Sequence, residues 1–125
     1  MNNEFEIDFR GDHIHVELGE NYSSDLQSRE HFWNEIRALC EKHNTKRVLV
    51  EGFTPAGERK TGDIIDAGLQ TSAVPKLWLA FHLDDHQRTE GTELFEAVAA
   101  SRGVRVKFFA DTEHALMWLR NNTPS

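Results

Sequence analysis

Two short stretches of the chain carry residue types whose spacing could do chemistry. The first is VLVEGFTPAGERKTGD, Val48 to Asp63: an apolar run, a loop with Gly and Pro, and a helix start. A strand feeding such a loop and then a helix can cradle phosphate on backbone N–H groups. Gly52 and Gly57 have the matching gap, but the motif then requires Gly-Lys-Ser/Thr, so that lysine reaches the terminal phosphates and the hydroxyl meets magnesium. Here Gly57 is followed by Glu58 and Arg59, and Pro55 removes an N–H donor. The stretch reads as a long turn rather than a nucleotide site.

The second stretch is FHLDDHQ, which sets His82, Asp84, Asp85 and His86 just past an apolar strand. Open α/β sheets bind ligands at the carboxyl ends of their strands, and imidazoles with carboxylates suit zinc. Donors crowded into one loop rarely converge without help from another element, so a solvated acidic turn is the first reading. His82, Asp84 and His86 are the metal candidates behind it, and a metal-dependent enzyme at this 82–86 loop is the remaining alternative. His13 and His15 fall near the polar side of an expected hairpin, opposite Glu4, Glu6 or Asp8, where ordinary cross-strand pairing is expected ahead of a metal clip. The single cysteine, Cys40, lies on an apolar helical stripe and reads as a core residue. No Gly-X-Ser-X-Gly, His-Glu-X-X-His or Cys-X-X-Cys pattern occurs. The expectation is a protein that is not an enzyme and uses no cofactor.

The elements that must position these residues follow from periodicity. EFEIDF and HIHVEL alternate apolar and polar on either side of Arg10-Gly11-Asp12, as an antiparallel hairpin does. Ser24 and Gln27 have capping-box spacing ahead of a helix whose stripe is Leu26, Trp33, Ile36 and Cys40, ending near Asn44. RVLVE is a strand, TGDIIDAGLQTSA a short helix, and KLWLAFH, apolar on both faces, a central strand. Thr92 is placed as the cap of the next helix, VRVKFF as an edge strand, and Asp111 as the cap of the last helix. The order is an N-terminal β-hairpin followed by αβαβαβα: one α/β domain over residues 1–125, with a mixed five-stranded sheet, four helices and a partly flexible tail at 119–125. Phe32 and Trp33 are adjacent, so they diverge by about 100° on a helix and one is expected at the periphery. Trp118 is expected to be similarly placed.

Composition narrows the partners. Apolar residues make up 38% and charged residues 28% of 125, ordinary for a globular chain. The net charge of −7, without a Lys/Arg stripe, argues against nucleic acid. Apolar runs are too short for membrane insertion, and the opening residues lack a secretion-signal pattern. With one cysteine, the expected location is cytoplasmic.

With this element order, the chain resembles the STAS-like proteins, in particular the SpoIIAA-like (STAS/SEC14-type) family of small, mostly uncharacterised bacterial proteins. RVLVEG (47–52), KLWLAFH (76–82) and ELFEAVAASRGVRVKFFADTEHALMWLR (93–120) carry the resemblance. It implies the anti-anti-sigma factor fold and a non-enzymatic regulatory module that binds a protein partner. In that family a Ser or Thr after the third strand is phosphorylated, within Asp-Ser followed closely by Gly. Lys60-Thr61-Gly62 is the matching position, with Lys60 where the family has Asp; the competing reading is that Thr61 only caps the helix. The implied recognition loop comprises Gly52, Thr54, Gly57, Lys60, Thr61 and Gly62. Phe32, Trp33, Trp78 and Trp118 are candidates for a partner contact, which includes a homodimer. They also serve an alternative reading, a pocket for a small apolar ligand or lipid.

Overall fold

The computed structural model of the chain describes residues 5–19, 22, 26–53, 60–84 and 89–121, with Leu26 and Asp84 described by backbone alone. Their elements run β1 (Phe5–Phe9), β2 (Ile14–Leu18), α1 (Leu26–His43), β3 (Arg47–Phe53), α2 (Thr61–Gln70), a 3-10 turn (Thr71–Ala73), β4 (Trp78–Asp84), α3 (Glu90–Ser101), β5 (Arg105–Phe108) and α4 (Thr112–Asn121). The sheet order is β1-β2-β3-β4-β5, with β1 antiparallel to β2 and every later pair parallel. The expected hairpin, central β4 and edge β5 are all present.

This order decides which face each helix covers. Parallel strands linked by right-handed crossovers, each stepping the same way along the sheet, put every crossover helix on one face. Thus α1, α2 and α3 share a face, and α4, which follows the last strand, is free to cover the other. The packing agrees. Ile14, Val16, Val48, Val50 and Leu79 point to the first face and are fully buried in one core with Ile36 and Ala99 from the helices. Burying each such aliphatic side chain contributes roughly 1.5–3 kcal/mol. On the opposite face Leu49 and Ala80 meet Ala115 and Leu119 of α4, ringed by Trp78, Phe109, Leu116 and Trp118. The α4 helix therefore sits over β3 and β4, while Glu6, Asp8 and Glu17 on β1 and β2 remain exposed on that face.

Local signals set the ends of the elements. Asn44 takes a left-handed φ of 50°, and the next amide, Thr45 N–H, donates back to Cys40 O at 3.1 Å to close α1. Asp111 Oδ1 accepts the His114 N–H at 2.8 Å, as a cap for α4 should. The cap of α3 differs from expectation: it is Thr89, which accepts the Thr92 N–H at 3.2 Å, so the helix starts a turn earlier than Thr92. The capping-box residue Ser24 lies outside the described residues. The α4 helix runs to Asn121 and fully buries Leu119, so ordered helix enters the expected 119–125 tail. Phe32 and Trp33 are both buried, which corrects the expectation of a peripheral ring. Edge strand β1 and Tyr22 reach around α1, so Phe32 packs at 5.3 Å from Phe5 and 5.8 Å from Tyr22, with Trp33 beside it.

The tip of the hairpin is tied to the far end of α4. Asp12 accepts from His13 Nδ1 at 2.6 Å and from Arg120 Nε at 2.7 Å. Burial alone would raise the Asp12 pKa, but these hydrogen bonds and the charge interactions with His13 and Arg120 outweigh it and hold the carboxyl below its ordinary 3.8. A carboxyl depressed in the folded state stabilises above its unfolded pKa and loses that contribution as pH falls through its folded value. Asp12→Asn is expected to cost about 0.5–1 kcal/mol at neutral pH, discounted for the partial exposure of the cluster. In urea titrations its deficit against the wild type should begin to shrink as pH falls below about 4 and disappear once pH has passed the lower folded-state pKa, and a deficit independent of pH through that range would contradict the assignment.

Gly52, next to last in β3, has φ +115°, and a Cβ at this position would collide with the Leu18 backbone carbonyl of the adjoining strand. Both the strained φ and the close approach demand glycine. Gly52→Ala is expected to destabilise the fold by at least about 2 kcal/mol in chemical denaturation. A loss no larger than an exposed-surface substitution produces would show that β2 and β3 are not this close.

Candidate functional site

The face left partly open by α4 carries an unusual row of residues. The strand registers set Glu6 opposite Glu17, Glu17 beside Glu51, and Glu51 beside His82, so one line across β1, β2, β3 and β4 reads Glu-Glu-Glu-His. The neighbouring row is Asp8, His15, Leu49 and Ala80. The first row holds no Lys or Arg, and the second reaches one only at Lys107 on β5, beyond Ala80. Like charges on adjacent strands repel, so the arrangement depends on donors that reach in from the side.

Glu51 receives them. Its Oε1 accepts from His15 Nε2 at 2.8 Å, and its Oε2 from His82 Nδ1 at 2.8 Å and from the Thr112 hydroxyl. Thr112 Oγ1 also lies 3.3 Å from His82 Nδ1. An ionised carboxylate only accepts, so His15 carries a proton on Nε2 and His82 on Nδ1. Burial alone would raise the Glu51 pKa; hydrogen bonds from His82, Thr112 and His15, with the charge interaction from His15, outweigh it and set it below the ordinary 4.5. The side chain of His15 is only 5% exposed and that of Glu51 15%, whereas Glu17 at 50% opens the cluster to solvent. One carboxylate thereby joins β2, β3, β4 and the first residue of α4, near the carboxyl ends of the parallel strands where open α/β sheets place their sites.

The structure distributes the sequence candidates differently from a single site. His82 joins the Glu51 cluster; Asp84 ends β4, its side chain not described, and His86 lies outside the described residues. His15 does face Asp8 across the hairpin, with Nδ1 3.8 Å from Asp8 Oδ1, but it is buried and its close partner is Glu51. His13 precedes β2 and bonds Asp12 instead. Phe32 and Trp33 belong to the core under α1, whereas Trp78 and Trp118 pack against each other at 5.1 Å beneath α4. The sheet separates these two pairs, so the aromatics do not line one pocket. Lys60, Thr61 and Gly62 are exposed at the start of α2, while Thr54 and Gly57 lie outside the described residues. The N-cap of α2 is Lys60, which makes no side-chain bond, so Thr61 is the first helical residue and not the cap.

Sequence reasoning passed over Glu51 and Thr112. The available signal was a carboxylate inside RVLVEGF, a strand with parallel neighbours on both sides, where a charge requires donors.

No family model, curated protein or solved structure matches the chain.

If Glu51 anchors this face, Glu51→Ala leaves the buried His15 and the Thr112 hydroxyl without their acceptor. Equilibrium urea unfolding should then register a loss of about 1–3 kcal/mol. A change under about 0.5 kcal/mol, typical of exposed sites, would contradict the role.

Proposed function

We propose that the protein is a non-enzymatic regulatory or protein-interaction module of the STAS/SpoIIAA-like type, engaging a protein partner through the segment between β3 and α2. What carries the reading is the exposure of apolar side chains on either side of that segment. Among the described residues, the exposed large hydrophobic side chains are Phe53, Ile65 and Met117, and the first two flank the segment in sequence. Exposed large apolar groups beside a polar loop suit a partner contact. The strand order, with a leading hairpin and every crossover helix on one face, is compatible with the resemblance. No helix among the described residues is long and apolar enough to cross a membrane.

Regulation fits the same place. Thr61 is exposed and free of capping duty, and a phosphate on it would meet unsatisfied helix N–H groups, the positive end of the α2 dipole and the neighbouring Lys60.

The test is affinity capture from the source cell lysate with the partner identified by mass spectrometry. Wild type and Met117→Ala, altered on α4, should enrich the same protein. Phe53→Ala and Thr61→Glu should each lower that enrichment by roughly tenfold, the loss expected for a contact worth about 1.4 kcal/mol. No enrichment by any form, or equal enrichment by all, would overturn the reading.

A further inference from the structure

The Glu-rich corner of this face gathers carboxylates around a histidine, while the face's strand cations Arg47, Arg105 and Lys107 stand in other rows. In the row Glu6–Glu17–Glu51–His82 three carboxylates stand side by side, and the row beside it adds Asp8. Asp8 has Arg10, whose Nε lies 3.3 Å from its Oδ2 at the exposed rim. Glu51 accepts hydrogen bonds from His15, His82 and Thr112, and Glu17 stands 4.0 Å from His15 Nε2. Two carboxylate oxygens, from Glu17 and Glu51, therefore flank one imidazole nitrogen.

We propose that His15 Nε2, Glu17 and Glu51 form a binding site for one divalent transition-metal ion of the zinc class, with a coordination position open to solvent. One ligand atom from each lies within 4.8 Å of the other two. Zinc bonds of about 2.0–2.1 Å in tetrahedral geometry separate neighbouring donors by about 3.4 Å. The observed 2.8 Å from His15 Nε2 to Glu51 and 4.0 Å from His15 Nε2 to Glu17 bracket that separation, so small side-chain adjustments seat the ion. One imidazole with two carboxylates favours zinc or a neighbouring first-row ion over calcium or magnesium, which take oxygen alone.

The surroundings bring one ligand's partners into place and leave another's a short side-chain movement away. A coordinating imidazole keeps its proton on the other nitrogen and points it at an acceptor. For His15 that nitrogen is Nδ1, and Asp8 Oδ1 stands 3.8 Å away. Glu51 would bind through Oε1 while His82 and Thr112 hold Oε2, which fixes the carboxylate plane. His15 comes from β2 and Glu51 from β3, two rigid, buried strands, so these ligands are positioned before the ion arrives. Glu17 alone must swing in from solvent, and the side it leaves open can take water or a donor from another molecule. The site lies on the sheet face away from α1, α2 and α3 and stands independently of the interaction reading.

Chelator-stripped full-length protein titrated with zinc chloride by calorimetry, with native mass spectrometry for stoichiometry, tests the proposal. The expected result is one tightly bound zinc per chain. Glu17→Gln alters an exposed side chain and should leave the circular dichroism spectrum unchanged while weakening zinc by roughly tenfold or more. His15→Asn should abolish the stoichiometric site, and His114→Ala, at the exposed start of α4, should bind as wild type does. Absence of zinc uptake by the wild type would overturn the proposal, as would undiminished binding by Glu17→Gln, whatever the folding of His15→Asn.

Discussion

A carboxylate set within parallel strands must be matched by donors, and Glu51 is where that requirement falls. Its neighbours on both sides are strands rather than solvent, and its side chain is 15% exposed. Leaving such a group unpaired costs more than most single contacts contribute. His15, His82 and Thr112 supply the donors from three different elements. The second face of the sheet consequently has two parts: an apolar half under α4, built on Leu49, Ala80, Ala115 and Leu119, and a polar half organised by one glutamate.

The position of α4 connects the two halves. Its first residue, Thr112, donates to Glu51, and its last turn places Arg120 on Asp12 at the hairpin tip. Between these polar ends the helix buries Ala115 and Leu119 against β3 and β4. The hydrophobic middle supplies most of the binding energy, and the two polar ends set where along the sheet the helix lies. On the other face α1, α2 and α3 cover a larger apolar core, with buried Arg29 of α1 donating to Gln70 of α2 at 2.6 Å between the helices.

Much of this was legible in the residues themselves. The hairpin, the central strand and the edge strand all follow from period-two patterns, which report directly on which faces are buried. Asn44 and Asp111 declared their helix ends through their own backbone and side-chain chemistry. What escaped depends on more than one element. Thr89 and Thr92 are equally good caps by type, and only the path of the chain entering α3 chooses between them. Phe32 and Trp33 diverge on an isolated helix, yet β1 and Tyr22 curl far enough around α1 to bury both. Glu51 lies on the correct strand by pattern, but its partners arrive from β2, β4 and α4, whose meeting depends on strand order and crossover handedness. His15 was visible as a hairpin histidine, while its actual partner lies on the strand at its other side.

The central claim is that Glu51 is an ionised acceptor gripped by two imidazoles, and NMR of the histidine ring nitrogens in metal-free protein at neutral pH addresses it most directly. This account expects protons on His15 Nε2 and His82 Nδ1, each slow to exchange with solvent and each sensitive to Glu51→Gln. Protons resident on His15 Nδ1 and His82 Nε2 instead, or rings indifferent to that substitution, would contradict it.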